Sequence, residues 1–267
     1  MFRINSNCMK RYIVALGDLL VFLLIFALSQ LALGFVFYYI KPLNDALNFM
    51  LSYVGSMLIT LLLFSLYERL RGYTRTPIMC SRKGTNPILI LRGVLILAAL
   101  FIVLLPLSPL LPADSRTFPD SGWTPFTLCL LAPIFEEILF RGKLFNLLGR
   151  SLQPSQAAML SALAFGVVHL QPAVIIDGFI TGIILSYFYI KCRSILAPII
   201  LHAINNTVAF ALLSLSYKDV MLKEYIDNIP YSIVVYMIAA IFLVISFIRI
   251  FRKFHHENLR QQFNEQA

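Results

Sequence analysis

Long apolar segments separated by short polar ones dominate the pattern of this chain. We distinguish eight, and most approach or exceed the roughly 20 residues that a helix needs to cross ~30 Å of hydrocarbon. They are Tyr12–Ile40, Ala46–Tyr67, Ile88–Leu111, Pro125–Leu148, Ser155–Leu170, Ala173–Ile190, Ser194–Tyr217 and Pro230–Ile250. This pattern predicts an all-α, polytopic integral membrane protein with about eight transmembrane helices.

The composition agrees with this prediction and excludes several classes of protein. Of the 267 residues, 59% are hydrophobic and only 13% are charged. A soluble domain typically has about 45–50% apolar and about 25% charged residues. A soluble enzyme, a disordered chain and a secreted disulfide scaffold are therefore excluded. We expect a multi-pass protein of the cell membrane that is surrounded by lipid.

The chain is basic, with a net charge of +9, and the excess has two explanations. One is nucleic-acid binding, and the other is the enrichment of Lys and Arg in cytoplasmic loops. If the eight segments alternate from a cytoplasmic N-terminus, 18 of the 22 Lys and Arg residues fall on the cytoplasmic side. This asymmetry favours the second explanation. It predicts that both termini are cytoplasmic and that nucleic acid is not a partner.

Ionisable residues inside membrane spans are functional candidates, because burying them in hydrocarbon is costly. The fourth segment contains Glu136, Glu137 and Arg141. Glu137 and Arg141 are four residues apart, so they share a helix face and can form an ion pair. Glu136 points about 100° away and has no local partner, which suits a general base. The alternative is that both glutamates only hold helices together.

Two further segments contain imidazoles. In the fifth, Phe165 lies one helical turn before His169; in the seventh, His202 and Asn206 share a face. A lone histidine in a span is more often a packing residue than a ligand. Counted at 1.5 Å per residue, Glu136 and His202 lie near middle depth, whereas His169 lies about 21 Å from the inner boundary.

Two other acidic residues in the spans are interpreted as non-catalytic. Asp18, in the first segment, has the position of a structural residue. Asp177 follows the start of the sixth segment, so we expect it near the outer mouth of the bundle, as an interface residue.

Three motifs in order resemble one family. They are E-E-x-x-x-R (Glu136, Glu137, Arg141), F-x-x-x-H (Phe165, His169) and H-x-x-x-N (His202, Asn206). Together they resemble the CPBP family, which comprises the type 2 CAAX prenyl endopeptidases and the bacterial Abi and bacteriocin-processing proteins. The similarity covers residues 125–210. We accordingly expect N-terminal spans in residues 1–124, a catalytic core in 125–217, and a last span with a basic tail in 218–267.

The resemblance implies an intramembrane endopeptidase. Glu136 would activate the attacking water, and His169 would position that water or a metal. His202 and Asn206 would stabilise the tetrahedral oxyanion. Glu137 and Arg141 would form a supporting pair, with Phe165 beside His169.

The sequence leaves a metal and the substrate open. His169 and His202 are the candidate ligands for Zn²⁺, but the H-E-x-x-H motif is absent and catalytic zinc normally has three protein ligands. A metal-free mechanism needs only a base and oxyanion donors. The substrate would be a peptide or a membrane protein, prenylated or not. The alternative function is a non-catalytic immunity factor, scaffold or transporter component.

Overall fold

The computed structural model describes residues 6–40, 43–74, 77–81, 85–106, 122–214, 223 and 227–266. Within these ranges the chain forms eight long helices and no strand, which confirms the all-α prediction. The helices are α1 (Ser6–Ile40), α2 (Asp45–Leu70), α3 (Pro87–Leu104), α4 (Trp123–Leu148), α5 (Pro154–Val167), α6 (Pro172–Cys192), α7 (Leu196–Ser214) and α8 (Ile229–Gln266).

Six of the described helices, all except α5 and α7, are long and apolar enough to cross a membrane. The chain is therefore a multi-pass membrane protein. At 1.5 Å per residue, α7 is about 29 Å long but α5 only about 21 Å. The predicted ends of the third segment at Leu111 and the seventh at Tyr217 lie outside the described residues. The number of membrane spans, eight, and the cytoplasmic location of both termini remain predictions.

The helices begin where the local sequence favours a start. The side chain of Asn44 accepts a hydrogen bond from the N–H of Leu47 and so caps the first turn of α2. Helices α3, α5 and α6 each begin with a proline. A proline is favoured at this position because the first N–H groups of a helix have no partner within it.

Helix α4 is not uniform. Two π-helical stretches, Thr127–Leu131 and Ile138–Phe145, flank the α-helical stretch Ala132–Glu137. In the first stretch the N–H of Ala132 donates to the carbonyl five residues earlier. The next donor in that pattern would be Pro133, which has no N–H. The carbonyl of Leu128 consequently loses its π-helical partner.

Helices α5 and α6 pack at very short distance because small residues face each other. A Cβ atom added at Gly182 would lie 2.8 Å from the Cβ of Ala162. One added at Gly166 would lie 2.6 Å from the carbonyl oxygen of Ile175. Small residues at a spacing of four are typical of close helix pairs in membranes. Residues 181–190 of α6 are all buried, so this helix occupies the centre of the bundle.

A row of aromatic rings connects the first two helices to the middle of the bundle. Phe22 of α1 packs edge to face against Phe64 of α2 and Phe140 of α4, at centroid distances of 5.0 and 5.4 Å. Phe140 in turn contacts Phe165 of α5 at 5.2 Å. Such pairs add stability beyond the area they bury. The N-terminal helices are thus packed directly against the helices that carry the motifs.

Asp18 is structural, as expected. It is buried, and it accepts hydrogen bonds from the hydroxyls of Tyr67 at 2.5 Å and Tyr73 at 3.1 Å. These contacts join α1 to the end of α2 and the chain after it. A second polar contact, from Lys143 to Glu68 at 2.7 Å, joins α4 to the same end of α2.

Candidate active site

Glu137 is fully buried inside the bundle, between the guanidinium of Arg141 and the imidazole of His202. Arg141 donates to its Oε1 atom at 2.8 Å, and both side chains are fully buried. The ion pair expected from the spacing is therefore present. His202 Nδ1 lies 2.8 Å from the same oxygen, and Arg141 also donates to the carbonyl of Gly182 at 3.0 Å. Helices α4, α6 and α7 are joined by this one cluster.

His202 lies between the two glutamates. Glu137, as the partner of Arg141, accepts at its carboxylate, so Nδ1 of His202 carries the hydrogen. The other ring nitrogen, Nε2, lies 3.6 Å from Oε2 of Glu136. The imidazole consequently presents Nε2 to the second carboxylate, in an orientation that Glu137 maintains.

Glu136 differs from Glu137 in exposure and in partners. Its side chain is 13% exposed, whereas that of Glu137 is 0% exposed. Tyr53, from α2, donates to its Oε1 atom at 2.6 Å. The Oε2 atom of each glutamate is buried and has no hydrogen-bond partner among the described residues. Glu136 indeed lacks a partner on its own helix, as the sequence indicated, but a distant tyrosine supplies one.

The ring of Phe165 packs against three of the predicted site residues. Its centroid lies 5.0 Å from the ring of His169 and 5.4 Å from that of His202, both edge to face. The guanidinium of Arg141 lies 4.6 Å over the same ring. This cation–π contact adds to the ion pair in holding the arginine. Phe165 therefore sets the spacing between the two imidazoles.

The prediction that the fifth helical segment continues through His169 to Leu170 is wrong. Helix α5 ends at Val167, and His169 lies in the turn that follows. Its Nδ1 atom lies 2.7 Å from the carbonyl oxygen of Phe165, one of the last-turn carbonyls that lack a helical partner. A carbonyl can only accept, so Nδ1 carries the hydrogen and Nε2 remains for another partner. Leu170, with φ of 64°, then reverses the chain into α6.

Asn206 contacts the interrupted part of α4. Its Nδ2 atom donates to the carbonyl of Leu128 at 3.0 Å. This is the carbonyl that Pro133 leaves without a π-helical partner. Asn206 thus stabilises the turn before Glu136 with one of its two N–H groups. Its predicted role as an oxyanion donor stays a prediction.

Sequence reasoning missed two residues near this cluster. Tyr53 gave one usable signal, because a tyrosine hydroxyl inside an apolar helix usually requires a partner. Asp177 was interpreted as an interface residue, but the next residue along α6, Gly178, lies beside His169. The adjacent Gly178 would bring an added Cβ to 3.7 Å from Nδ1 of His169. Asp177 therefore belongs to the surroundings of the site.

The donor set does not fit a three-ligand zinc site. Among the residues that the structure describes, no three His, Cys, Asp or Glu side chains are placed to hold one metal ion. His169 and His202 each use Nδ1 in a hydrogen bond within the protein. Catalytic zinc normally takes three protein ligands. We therefore derive no step through a metal.

The fold and the site together define a polytopic helical membrane protein with a polar cluster buried between its helices. Residues 119–208 match the family model described as Type II CAAX prenyl endopeptidase Rce1-like. This match supports the assignment to the CPBP/CAAX intramembrane protease family, which the three motifs resemble. It also supports a peptidase activity similar to that of the CAAX proteases. A search of curated proteins and a search of solved structures each return no match. The matched segment contains every predicted site residue, but not Tyr53.

Proposed function

We propose that the chain is an intramembrane endopeptidase of the cell membrane in which Glu136 activates a water molecule. The observation that carries this proposal is the contrast between the two glutamates. Glu137 is fully buried and paired with Arg141, whereas the side chain of Glu136 is 13% exposed and its Oε2 atom lies 3.6 Å from Nε2 of His202. A base must be reachable by water, and Glu136 is the more exposed of the two glutamates.

The reaction would proceed without a covalent intermediate. Oε2 of Glu136 takes a proton from water, and the resulting hydroxide attacks the carbonyl carbon of the scissile peptide bond. The tetrahedral intermediate then breaks its C–N bond, and Glu136 returns the proton to the leaving amine. The products are a carboxylate and an amine, and the carboxylate of Glu136 is regenerated.

The other site residues would position the water and stabilise the negative charge that develops on the carbonyl oxygen of the substrate. His169 orients the water through Nε2, since Nδ1 is engaged by Phe165. The second N–H of Asn206 donates to the oxyanion. His202 directs Nε2 towards the oxyanion, with Nδ1 held by Glu137. Donors aimed at an oxyanion usually make the largest contribution to such a reaction.

The substrate would be a peptide segment that reaches the site from the membrane surface. The test compares peptide termini in membranes that contain the native chain, Glu136→Gln or Glu257→Gln. The first variant keeps the shape of Glu136 but removes the base. The second makes the same change in the C-terminal part of α8, where Glu257 pairs with Lys253.

We expect new termini with the native chain and with Glu257→Gln, and none with Glu136→Gln. Identical termini in all three samples would reject the peptidase. A host phenotype that survived Glu136→Gln would then favour the non-catalytic immunity or scaffold function.

A further inference from the structure

The structure brings a fourth helix to the site, from outside the segment that matches the family model. Tyr53 lies on α2, 83 residues before Glu136, and its hydroxyl donates to Oε1 of Glu136 at 2.6 Å. This length is within the range of an O–H···O⁻ bond to a charged acceptor, about 2.5–2.7 Å, which is roughly twice as strong as a neutral one.

The turn of α2 that carries Tyr53 is itself held by α1. The hydroxyl of Ser56 lies 2.9 Å from Oε1 of Gln30 and 2.7 Å from the carbonyl oxygen of Tyr53. At Gly55 the two helices approach so closely that an added Cβ would lie 3.2 Å from Leu33. The turn of α2 that carries Tyr53 is therefore in direct contact with α1.

We infer that Tyr53 is a positioning residue for Glu136, an inference that rests on the proposed function. Its hydroxyl holds Oε1 and thereby fixes the plane of the carboxylate. The other oxygen, Oε2, is left facing Nε2 of His202 at 3.6 Å. A carboxylate without this bond rotates about its last side-chain torsion, a broad torsion with low barriers. Its base oxygen then spends less time in line with the water.

A purely structural role for Tyr53, as a link between α2 and α4, predicts a different result. Loss of a link lowers the stability of the fold and reduces activity only through the amount of folded protein. Loss of positioning lowers the rate of the chemical step in protein that is folded and binds substrate normally. Separate measurement of kcat, KM and thermal stability distinguishes the two.

The experiment compares Tyr53→Phe with Tyr67→Phe in the full chain, purified and reconstituted. Tyr67 is a matched control, since it lies on the same helix and donates to a carboxylate, that of Asp18, at 2.5 Å. The substrate is a peptide that contains the bond mapped by comparison with Glu136→Gln. We expect Tyr53→Phe to lower kcat by about 10- to 100-fold with KM within twofold, since small misplacements of a reacting group have effects of this size. Tyr67→Phe should leave kcat within twofold.

A second measurement is independent of activity. Infrared spectra of protein with ¹³C-labelled glutamate report the carboxylate stretches. Tyr53→Phe should shift a band in the native background, and the same substitution should shift no band in the Glu136→Gln background.

The possible failures are distinguishable. A native chain that cleaves, together with a Tyr53→Phe kcat within twofold of it, would overturn the inference and leave the proposed function intact. Equal losses of kcat in Tyr53→Phe and Tyr67→Phe would also overturn the inference. So would carboxylate bands that Tyr53→Phe leaves unchanged in the native background. A native chain whose termini equal those of Glu136→Gln overturns the proposed function, and the positioning role with it.

Discussion

At the scale of single residues, the buried charge of Glu137 depends on its neighbours. Arg141 supplies the compensating charge, and His202 supplies a further donor to the same oxygen. Taking two charges out of water costs several kcal/mol each, and removal of one partner leaves the other uncompensated. The Glu137–Arg141 pair is thus more important for the integrity of the site than an ion pair at the surface.

We expect Arg141→Met to lower the free energy of unfolding by about 3–5 kcal/mol, because it leaves the carboxylate of Glu137 buried without its cation. Methionine fills most of the arginine volume, so the effect reports mainly the charge. Unfolding by SDS titration in mixed micelles measures the change.

The control for this substitution is Lys253→Met. Lys253 pairs with Glu257, also four residues away on a helix, but both side chains are partly exposed. Exposed pairs contribute about 0.2–1 kcal/mol. Equal losses in the two methionine variants would contradict the importance of burial at Glu137.

At the scale of helices, α5 and α6 determine where His169 and Arg141 lie. Their close packing at Ala162 and Gly182 brings the carbonyl of Gly182 within 3.0 Å of the Arg141 guanidinium. The same packing sets the direction of the turn that contains His169. A larger residue at this contact would separate the helices, since backbone atoms cannot move aside as a flexible side chain can.

We expect Gly182→Ala to destabilise the protein by about 1–3 kcal/mol, the usual cost of overpacking. The added Cβ would lie 2.9 Å from the Cα of Ala162 and 3.2 Å from Arg141 Nη2. Thermal unfolding in detergent and peptidase activity should both decline.

Gly34→Ala on α1 provides the comparison, because an added Cβ there meets no atom within 4 Å. Alanine favours a helix over glycine, so this variant should be as stable as the native chain or slightly more stable. A Gly182→Ala variant as stable as Gly34→Ala would show that α5 and α6 are less closely packed than described.

At the scale of the whole molecule, the number of membrane crossings depends on whether α5 crosses the membrane. Helix α5 is about 21 Å long, less than the ~30 Å of hydrocarbon, while its neighbour α6 is long enough to cross. The distribution of basic residues favours two crossings by the α5–α6 unit, since only then do Arg150, Lys191 and Arg193 all fall on the same side of the membrane. We therefore expect the turn at His169 well inside the membrane or near its far side.

Reporter fusions after Ala267 test this parity. We expect green fluorescent protein to fluoresce there and alkaline phosphatase to be inactive, because both termini are predicted to be cytoplasmic. The reverse pattern would mean an odd number of crossings and would contradict the predicted topology.

Part of the site could be predicted because helix geometry is local. The Glu137–Arg141 pair follows from a spacing of four residues within one helix, and it is present. Phe165 and His169 are also in contact, although His169 lies beyond the end of the helix. The position of His169 was not predictable in this way. Periodicity continues to Leu170, while the helix ends at Val167 and the Nδ1 atom of His169 bonds to one of the final carbonyls. Apolar character alone does not show where a helix stops.

The amino-acid sequence by itself determined the membrane-spanning, all-helical class, the motif order and the local pairs, because hydropathy and helical spacing are properties of neighbouring residues. Tertiary structure alone decided that Glu137 is fully buried while the side chain of Glu136 keeps 13% of its surface exposed. The bonds from Tyr53 to Glu136, from His202 to Glu137 and from Asn206 to Leu128 join residues 83, 65 and 78 positions apart. Such contacts depend on how whole helices pack, and no local pattern encodes that packing.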